Sequence, residues 1–216
     1  MKFLLFLFLV ILGSSFSLSS EEMLNNDDNL YDRSYSTDEL RSGRSFLKKE
    51  TMKMEIDDFD NPGMIWVERG KELFSSVLGK NKFSCLKCHN ESENSLIGVV
   101  SNFPKLSEDN MSLVNLEQQI NICLKNNMKA EPLALESKSL LSLSSYITFL
   151  SKGMPVNVII DHNKEKFFKK GKELYFKRIG QMNLACNQCH DHLAGKSLRA
   201  ETISHGHLNG FPSYLL

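Results

Sequence analysis

The chain has 216 residues and no net charge, because 26 basic residues balance 26 acidic ones. Hydrophobic residues make up 41% of it and charged residues 24%, which is enough for a core and excludes a wholly disordered chain. The charge balance argues against a strongly basic protein held to nucleic acid by charge alone, so we expect no nucleic-acid partner. Five cysteines are too few for a disulfide-dense scaffold of this length.

Residues 1–20 have the layout of a secretory signal peptide. Lys2 supplies a positive start, Phe3 to Leu12 is an unbroken apolar run, and Ser15, Ser17 or Ser20 offers a cleavage position. A membrane span needs about 20 apolar residues, and this run is much shorter, although an uncleaved anchor is the alternative. No later segment is long and apolar enough to span. We therefore expect an exported protein without a membrane span after signal cleavage, located in the periplasm if the source is Gram-negative.

Residues 21–60 form a polar, acidic leader and N-terminal extension. From Asn61 onward, apolar residues recur at helical spacing, and there is no convincing run of alternating strand residues. The fold is therefore expected to be mostly α-helical. The predicted helices are Met64–Gly79, Leu113–Asn126, Glu136–Lys152 and Asn163–Arg178. The apolar stripe of the first predicted helix consists of Trp66, Gly70, Leu73, Phe74 and Val77.

An internal repeat suggests two tandem modules. The sequence GKELF at 70–74 recurs as GKELY at 171–175, and a Cys-x-x-Cys-His follows each copy at the same distance, with an offset of 101 residues throughout. We predict a first cytochrome c-like domain at 61–155 and a second at 156–216. Counterparts of the first module's last helix would fall beyond Leu216, so the second domain is expected to be incomplete.

Cys-x-x-Cys-His is the attachment sequence of c-type haem. Two thiols three residues apart can both reach the haem vinyl groups, and the histidine then faces the iron. The motif predicts two covalent haems c per chain, with export as a fitting compartment. The thioether cysteines would be Cys85, Cys88, Cys186 and Cys189, and the proximal ligands His89 and His190. A zinc or redox Cys-x-x-Cys is the alternative, but zinc needs two pairs close in space and a redox motif needs no histidine.

Gly70 lies one turn before Phe74, as Gly171 lies before Tyr175. In small cytochromes c the first helix crosses the last near such a glycine, where a missing side chain permits close approach. In the first module the crossing helix would carry Leu143, Tyr146 and Ile147. Ordinary core packing is the plainer interpretation, and the two are compatible.

The fifth cysteine, Cys123, shares a predicted apolar stripe with Leu116 and Ile120, so it should point inward. A thiolate there would be a distal iron ligand that lowers the haem potential relative to methionine. Met128 and Met154 are competing ligands, and a buried inert thiol is a further alternative. For the second haem, His205 and His207 are candidate ligands, although solvated loop positions suit them better.

Several stretches resemble the SoxA family, the dihaem subunit of the SoxAX cytochrome of bacterial thiosulfate oxidation. The resemblance covers roughly residues 40–216. The matching stretches are RSG at 41–43, DDFDNPGM at 57–64, INIC at 120–123, RIGQMNLACNQCHD at 178–191 and NGFPSY at 209–214. They extend well beyond generic haem attachment.

The resemblance implies an L-cysteine S-thiosulfotransferase subunit. Such a chain pairs with the monohaem subunit SoxX, and the pair couples thiosulfate oxidatively to a cysteine of the carrier SoxYZ. Two electrons then pass through haem to a cytochrome c acceptor. The first haem of the family has His/Cys ligation, which matches His89 and Cys123.

The family's second haem is its reaction centre, with a cysteine persulfide as distal ligand and an arginine nearby. Both would lie beyond Leu216, so no catalytic residue is assigned here and this short chain is expected to be inactive in thiosulfate coupling. A dihaem electron carrier without group-transfer chemistry is the alternative function, and a dihaem peroxidase is a weaker one.

Overall fold

A computed structural model describes residues 39–89, 96–108 and 111–206. The predicted signal peptide, the leader up to residue 38, His207 and the NGFPSY stretch at 209–214 lie outside the described residues. Leu40 begins a separate compact unit of the chain. All the elements below belong to this unit.

The described residues are mostly helical, as predicted. The α-helices are α1 Lys49–Ile56, α2 Met64–Ser75, α3 Cys85–Cys88, α4 Leu116–Cys123, α5 Lys138–Phe149, α6 His162–Phe176 and α7 Cys186–His190. Short 3-10 helices lie at Gly43–Phe46 and Val99–Asn102, and a π-helical turn at Leu124–Met128. Two antiparallel pairs of two-residue strands, β1 Lys105–Leu106 with β2 Leu113–Val114 and β3 Ser197–Leu198 with β4 Glu201–Thr202, were not predicted.

The helices are shorter than the periodicity predicts, because local hydrogen bonds end them early. Helix α2 stops at Ser75, and Val77 beyond it is exposed, so the predicted stripe is wrong there. Helix α4 begins only after Asn115, whose side chain accepts from the backbone N–H of Gln118 while the Gln118 side chain accepts from Asn115 N–H. This capping box separates α4 from the strand residues that the prediction had included in the helix.

The core lies where α2 crosses α5. Val67 and Phe74 of α2 are buried together with Leu143 and Tyr146 of α5. At Gly70 a Cβ would come within 2.0 Å of the Ser142 carbonyl oxygen and 2.6 Å of the Tyr146 Cβ. The predicted close crossing at Gly70 is therefore confirmed, because only a glycine leaves room for the α5 backbone.

The two copies of the repeat share their local backbone as well as their residues. An antiparallel bridge joins Leu78 to Phe83 in the first copy, and another joins Ile179 to Leu184 in the second, 101 positions later. The residue after the first bridge position is a left-handed glycine in both copies, Gly79 and Gly180. The same turn thus leads into each Cys-x-x-Cys-His helix.

The copies differ in what covers their long helix. Helix α6 has no buried residue, and Phe168 and Leu174 on it are 54% and 50% exposed. A Cβ on Gly171 would meet nothing within 4 Å among the described residues. In this part of the chain, no helix plays for α6 the role that α5 plays for α2.

Among the described residues, none of the helices combines the length and apolarity that crossing a membrane requires.

Candidate functional site

The first Cys-x-x-Cys-His forms a short helix against the core. The Ser84 side chain accepts from the backbone N–H of Lys87 and thereby caps α3. Cys85 is half-buried against the core, whereas Cys88 is exposed. The His89 ring lies 6.0 Å from the Phe74 ring, centroid to centroid, in a stacked arrangement. Burial lowers the pKa of His89, which keeps the imidazole neutral, as an iron ligand must be.

Cys123, at the end of α4, lies close to Cys85. Burial raises the pKa of the Cys85 thiol to about 11, and the charges of Cys123 and Cys88 add to the effect. Cys123 is half-buried beside the buried Ile120, so the inward direction predicted for this stripe is found. The Gln119 Nε2 donates a hydrogen bond to the Cys123 sulfur at 3.7 Å. The Cys123 thiol is thus near enough to Cys85 for the two groups to interact electrostatically.

A tight contact joins the loop before α3 to the π-helical turn after α4. The π-helical turn Leu124–Met128 directly follows Cys123, and π-turns often mark functional positions in helices. The Asn81 side chain donates to the Asn127 carbonyl oxygen at 2.7 Å. A Cβ at Gly79 would lie 2.1 Å from the Met128 carbonyl oxygen, so this position needs glycine both for its left-handed backbone and for the close approach.

The two methionines that competed with Cys123 are placed differently. Met128 is buried in the core cluster at the end of the π-turn. Met154 lies against Gly98, where a Cβ would come within 2.8 Å of its sulfur.

In the second copy, α7 carries Cys186, Cys189 and His190. The His190 Nδ1 lies 2.9 Å from the Ser204 carbonyl oxygen. Because a carbonyl oxygen can only accept, Nδ1 must carry a proton, and in the neutral tautomer that fits this contact the lone pair is on Nε2. Gly206 packs against the other side of this contact, since a Cβ there would lie 3.5 Å from Nδ1. An oriented imidazole of this kind is the form required of a proximal haem ligand.

The remaining described histidines have other positions. His162 is the first residue of α6 and its side chain is 97% exposed. His192 is exposed. His205 is half-buried, and its Nδ1 accepts a hydrogen bond from the backbone N–H of Arg41 at 3.0 Å. This atom of His205 is thus engaged by backbone rather than by a ligand site.

Three contributors to the site were missed by the sequence reasoning. Gln119 lies four residues before Cys123, a spacing that places both on one helix face and could have revealed the contact. Tyr175 donates to the Asp191 carboxylate at 2.8 Å, next to His190 in the chain. Ser204 supplies its main-chain carbonyl, for which the sequence carries no signal.

The residues present fit covalent haem. All five cysteines are free thiols, and each attachment pair sits on one helical turn followed by a neutral or oriented imidazole. In the described ranges, no three His, Cys, Asp or Glu side chains converge as they would around a protein-ligated metal ion.

Comparison with known proteins agrees with a cytochrome c fold around the first Cys-x-x-Cys-His turn. Residues 69–156 match the family model described as the SoxA/TsdA cytochrome c domain. The L-cysteine S-thiosulfotransferase subunit SoxA of Pseudaminobacter salicylatoxidans is 41% identical over 178 residues, and that of Paracoccus pantotrophus 37% over 179 residues. The crystal structure of SoxXA from P. pantotrophus superposes with a TM-score of 0.74 at 36% identity, covering 80% of this chain and 65% of that one.

The matched region covers 82% and 83% of this chain but only 62% and 61% of these two SoxA proteins. At 178 and 179 residues, the similarity is about twice as long as the domain matched at 69–156. The chain therefore contains a SoxA/TsdA cytochrome c domain and is homologous to SoxA proteins, of which it spans about three fifths of the length.

Proposed function

We propose that this chain is the SoxA-type subunit of an L-cysteine S-thiosulfotransferase and that it carries two haems c. The haem domains would be the tandem modules 61–155 and 156–216. The observation that carries the proposal is the repeated Cys-x-x-Cys-His turn with its common backbone, within a chain up to 41% identical to SoxA proteins.

In the first module, Cys85 and Cys88 would hold the haem through thioethers, and His89 would bind the iron from one side. Haem c, when bound, supplies a one-electron redox couple. The chain itself keeps the His89 imidazole neutral by burial and stacks it against Phe74. Covalent attachment would also remove the thiol of Cys85, whose ionisation the fold opposes.

Cys123 would be the second protein ligand of the iron that His89 binds. Its support is its electrostatic interaction with Cys85, together with the Asn81 hydrogen bond that joins the loop before Cys85 to the π-turn after Cys123. The hydrogen bond from Gln119 would withdraw electron density from the sulfur and moderate its donation to iron. Met128 is less suited to the role because it is committed to core packing.

In the second module, Cys186 and Cys189 would attach the haem and His190 would bind iron through Nε2. The Ser204 carbonyl fixes the ring orientation, and the Tyr175–Asp191 hydrogen bond joins α6 to the residue after His190. The distal side of this site is not assigned to a residue of the described chain.

The proposed reaction joins the outer sulfur of thiosulfate to a cysteine thiol of the SoxYZ carrier. One S–S bond forms, the thiol loses its proton, and two electrons leave for the haems, so that R–SH and S2O3²⁻ give R–S–S–SO3⁻, H⁺ and two electrons. A SoxX-type monohaem cytochrome would be the subunit partner and a cytochrome c the electron acceptor. The location would be the periplasm, reached by cleavage of the signal peptide at 1–20.

The first test is the number of covalent haems. The chain is coexpressed with a haem-attachment system, and haem per protein is measured after acid-acetone extraction has removed unattached haem. We expect two haems in the unaltered chain and one in each of two matched variants, Cys85→Ala/Cys88→Ala and Cys186→Ala/Cys189→Ala. A folded chain with bound zinc and no covalent haem would refute the proposal.

The second test is thiosulfate coupling by the chain assembled with SoxX, with SoxYZ as acceptor and cytochrome c as oxidant. Formation of the carrier S-thiosulfonate is followed by the mass gain of the carrier. Because the resemblance predicts that this chain is inactive in coupling, two haems that exchange electrons with cytochrome c without any carrier modification would agree with that expectation and favour the alternative function, a dihaem electron carrier. Carrier modification would contradict the expected inactivity and support the transferase.

A further inference from the structure

Two hydrogen bonds tie the N-terminal extension to the loop that follows α7. The backbone N–H of Arg41 donates to Nδ1 of His205 at 3.0 Å, and the backbone N–H of His205 donates to the Arg41 carbonyl oxygen at 2.9 Å. These residues are 164 positions apart. The pairing uses the main chain of Arg41, so it does not depend on the arginine side chain. We call this pair of bonds the Arg41–His205 clasp.

The clasp is one residue away from the contact that orients His190. Ser204, which precedes His205, offers the carbonyl oxygen that accepts from His190 Nδ1 at 2.9 Å. The Ser204 side chain in turn accepts from the backbone N–H of Gly206 at 3.1 Å. The Ser204 carbonyl is thus adjacent to two sets of bonds, the clasp at His205 and the turn formed by the Ser204 side chain with Gly206.

The other end of the clasp is anchored in the first half of the structure. Ser42, next to Arg41, is buried, and Arg44 forms an ion pair with the buried Glu55 of α1 at 3.0 Å. The backbone oxygen of Glu55 accepts from the Asn61 side chain, which also caps the turn that leads into α2. A continuous series of bonds therefore connects α2 to the loop that contacts His190.

We propose that His205 is a positioning residue for the second haem site, which it serves through the Arg41–His205 clasp. By holding the loop, the clasp keeps the Ser204 carbonyl on His190 Nδ1. A hydrogen bond at Nδ1 increases the electron donation of a ligating imidazole and favours the oxidised iron. Loss of the clasp would weaken that bond and raise the midpoint potential of the second haem. The inference rests on the proposed ligation of iron by His190.

The test compares two substitutions of His205 in the holoprotein. His205→Leu removes the acceptor atom at the Nδ1 position, whereas His205→Asn retains an acceptor there. His162→Leu is the control, since that side chain is almost wholly exposed and lies far from the clasp in sequence. The midpoint potentials of both haems are measured by spectroelectrochemical titration, and the haem attached at Cys85 and Cys88 serves as an internal reference.

Limited trypsin digestion reports on the clasp itself, because Arg41 is exposed and the new N-terminus at Ser42 is readily identified by mass spectrometry. In His205→Leu, we expect cleavage after Arg41 to be about fivefold faster, the factor that corresponds to one lost hydrogen bond. We also expect the second potential to rise while the first stays unchanged. His205→Asn should restore both quantities to near the unaltered values, and His162→Leu should alter neither.

Two outcomes would overturn the inference while leaving the proposed function intact. Faster cleavage with an unchanged second potential would mean that the clasp does not act on His190. Unchanged cleavage would mean that His205 does not hold the extension. A holoprotein that contains a single haem, attached at Cys85 and Cys88, would refute the two-haem proposal and this inference together.

Discussion

Replacing Gly70 with alanine would put a methyl group into the crossing of α2 and α5. The new Cβ would lie 2.0 Å from the Ser142 carbonyl oxygen and 2.6 Å from the Tyr146 Cβ. Neither atom belongs to the flexible end of a side chain, so α5 as a whole must move away. Gly171 provides the matched control, because a Cβ there meets nothing within 4 Å.

The two substitutions should change the free energy of unfolding differently. Overpacking costs about 1–3 kcal/mol, and a contact with backbone belongs at the upper end of that range. Alanine regains about 1 kcal/mol of helix propensity at either position. We therefore expect Gly70→Ala to lower the free energy of unfolding by about 2 kcal/mol and Gly171→Ala to leave it unchanged or raise it by up to about 1 kcal/mol.

Thermal unfolding of the two holoproteins, followed by far-UV circular dichroism, measures this difference. A loss of 2 kcal/mol corresponds to a fall in Tm of about 4–8 °C for a chain of this size. The fluorescence of Trp66, the single tryptophan, provides a second probe located in α2 itself. If Gly70→Ala and Gly171→Ala changed Tm equally, the close crossing of α2 and α5 at Gly70 would be refuted.

Three further predictions concern the thiols. Cys123→Met should abolish the thiolate-type low-spin electron paramagnetic resonance signal of the oxidised first haem and raise its potential, and an unchanged spectrum would make Cys123 a bystander. Gln119→Leu, which keeps Cys123 but removes the donor to its sulfur, should lower that potential, so a rise or no change would contradict the role of the hydrogen bond. In the haem-free chain at pH 8, iodoacetamide should alkylate the exposed Cys88 well before Cys85, because a pKa of about 11 keeps the Cys85 thiol protonated. Peptide mass mapping should show that Cys85 reacts faster as the pH rises towards 11. Equal rates for the two cysteines at pH 8 would contradict the burial of Cys85.

Much of this protein could be predicted from local sequence, because the signals involved are local. The Cys-x-x-Cys-His motifs place thiols and an imidazole on one helical turn whatever surrounds them. The 101-residue offset predicted equivalent turns, and the bridges at Leu78 and Ile179 confirm it. The predicted helices all exist, although capping at Asn115 and the early end at Ser75 moved their bounds.

Tertiary structure decided which distant residues meet. Periodicity placed Cys123 on an inward face, but only the tertiary structure brought it near enough to Cys85 for the two thiols to interact electrostatically. Gly70 and Gly171 are equivalent in sequence, yet one is enclosed by a helix backbone and the other is open among the described residues. His190 and His205 use their side chains to contact main-chain atoms of Ser204 and Arg41. Every residue carries such main-chain atoms, so the residue types in the sequence could not predict these two contacts.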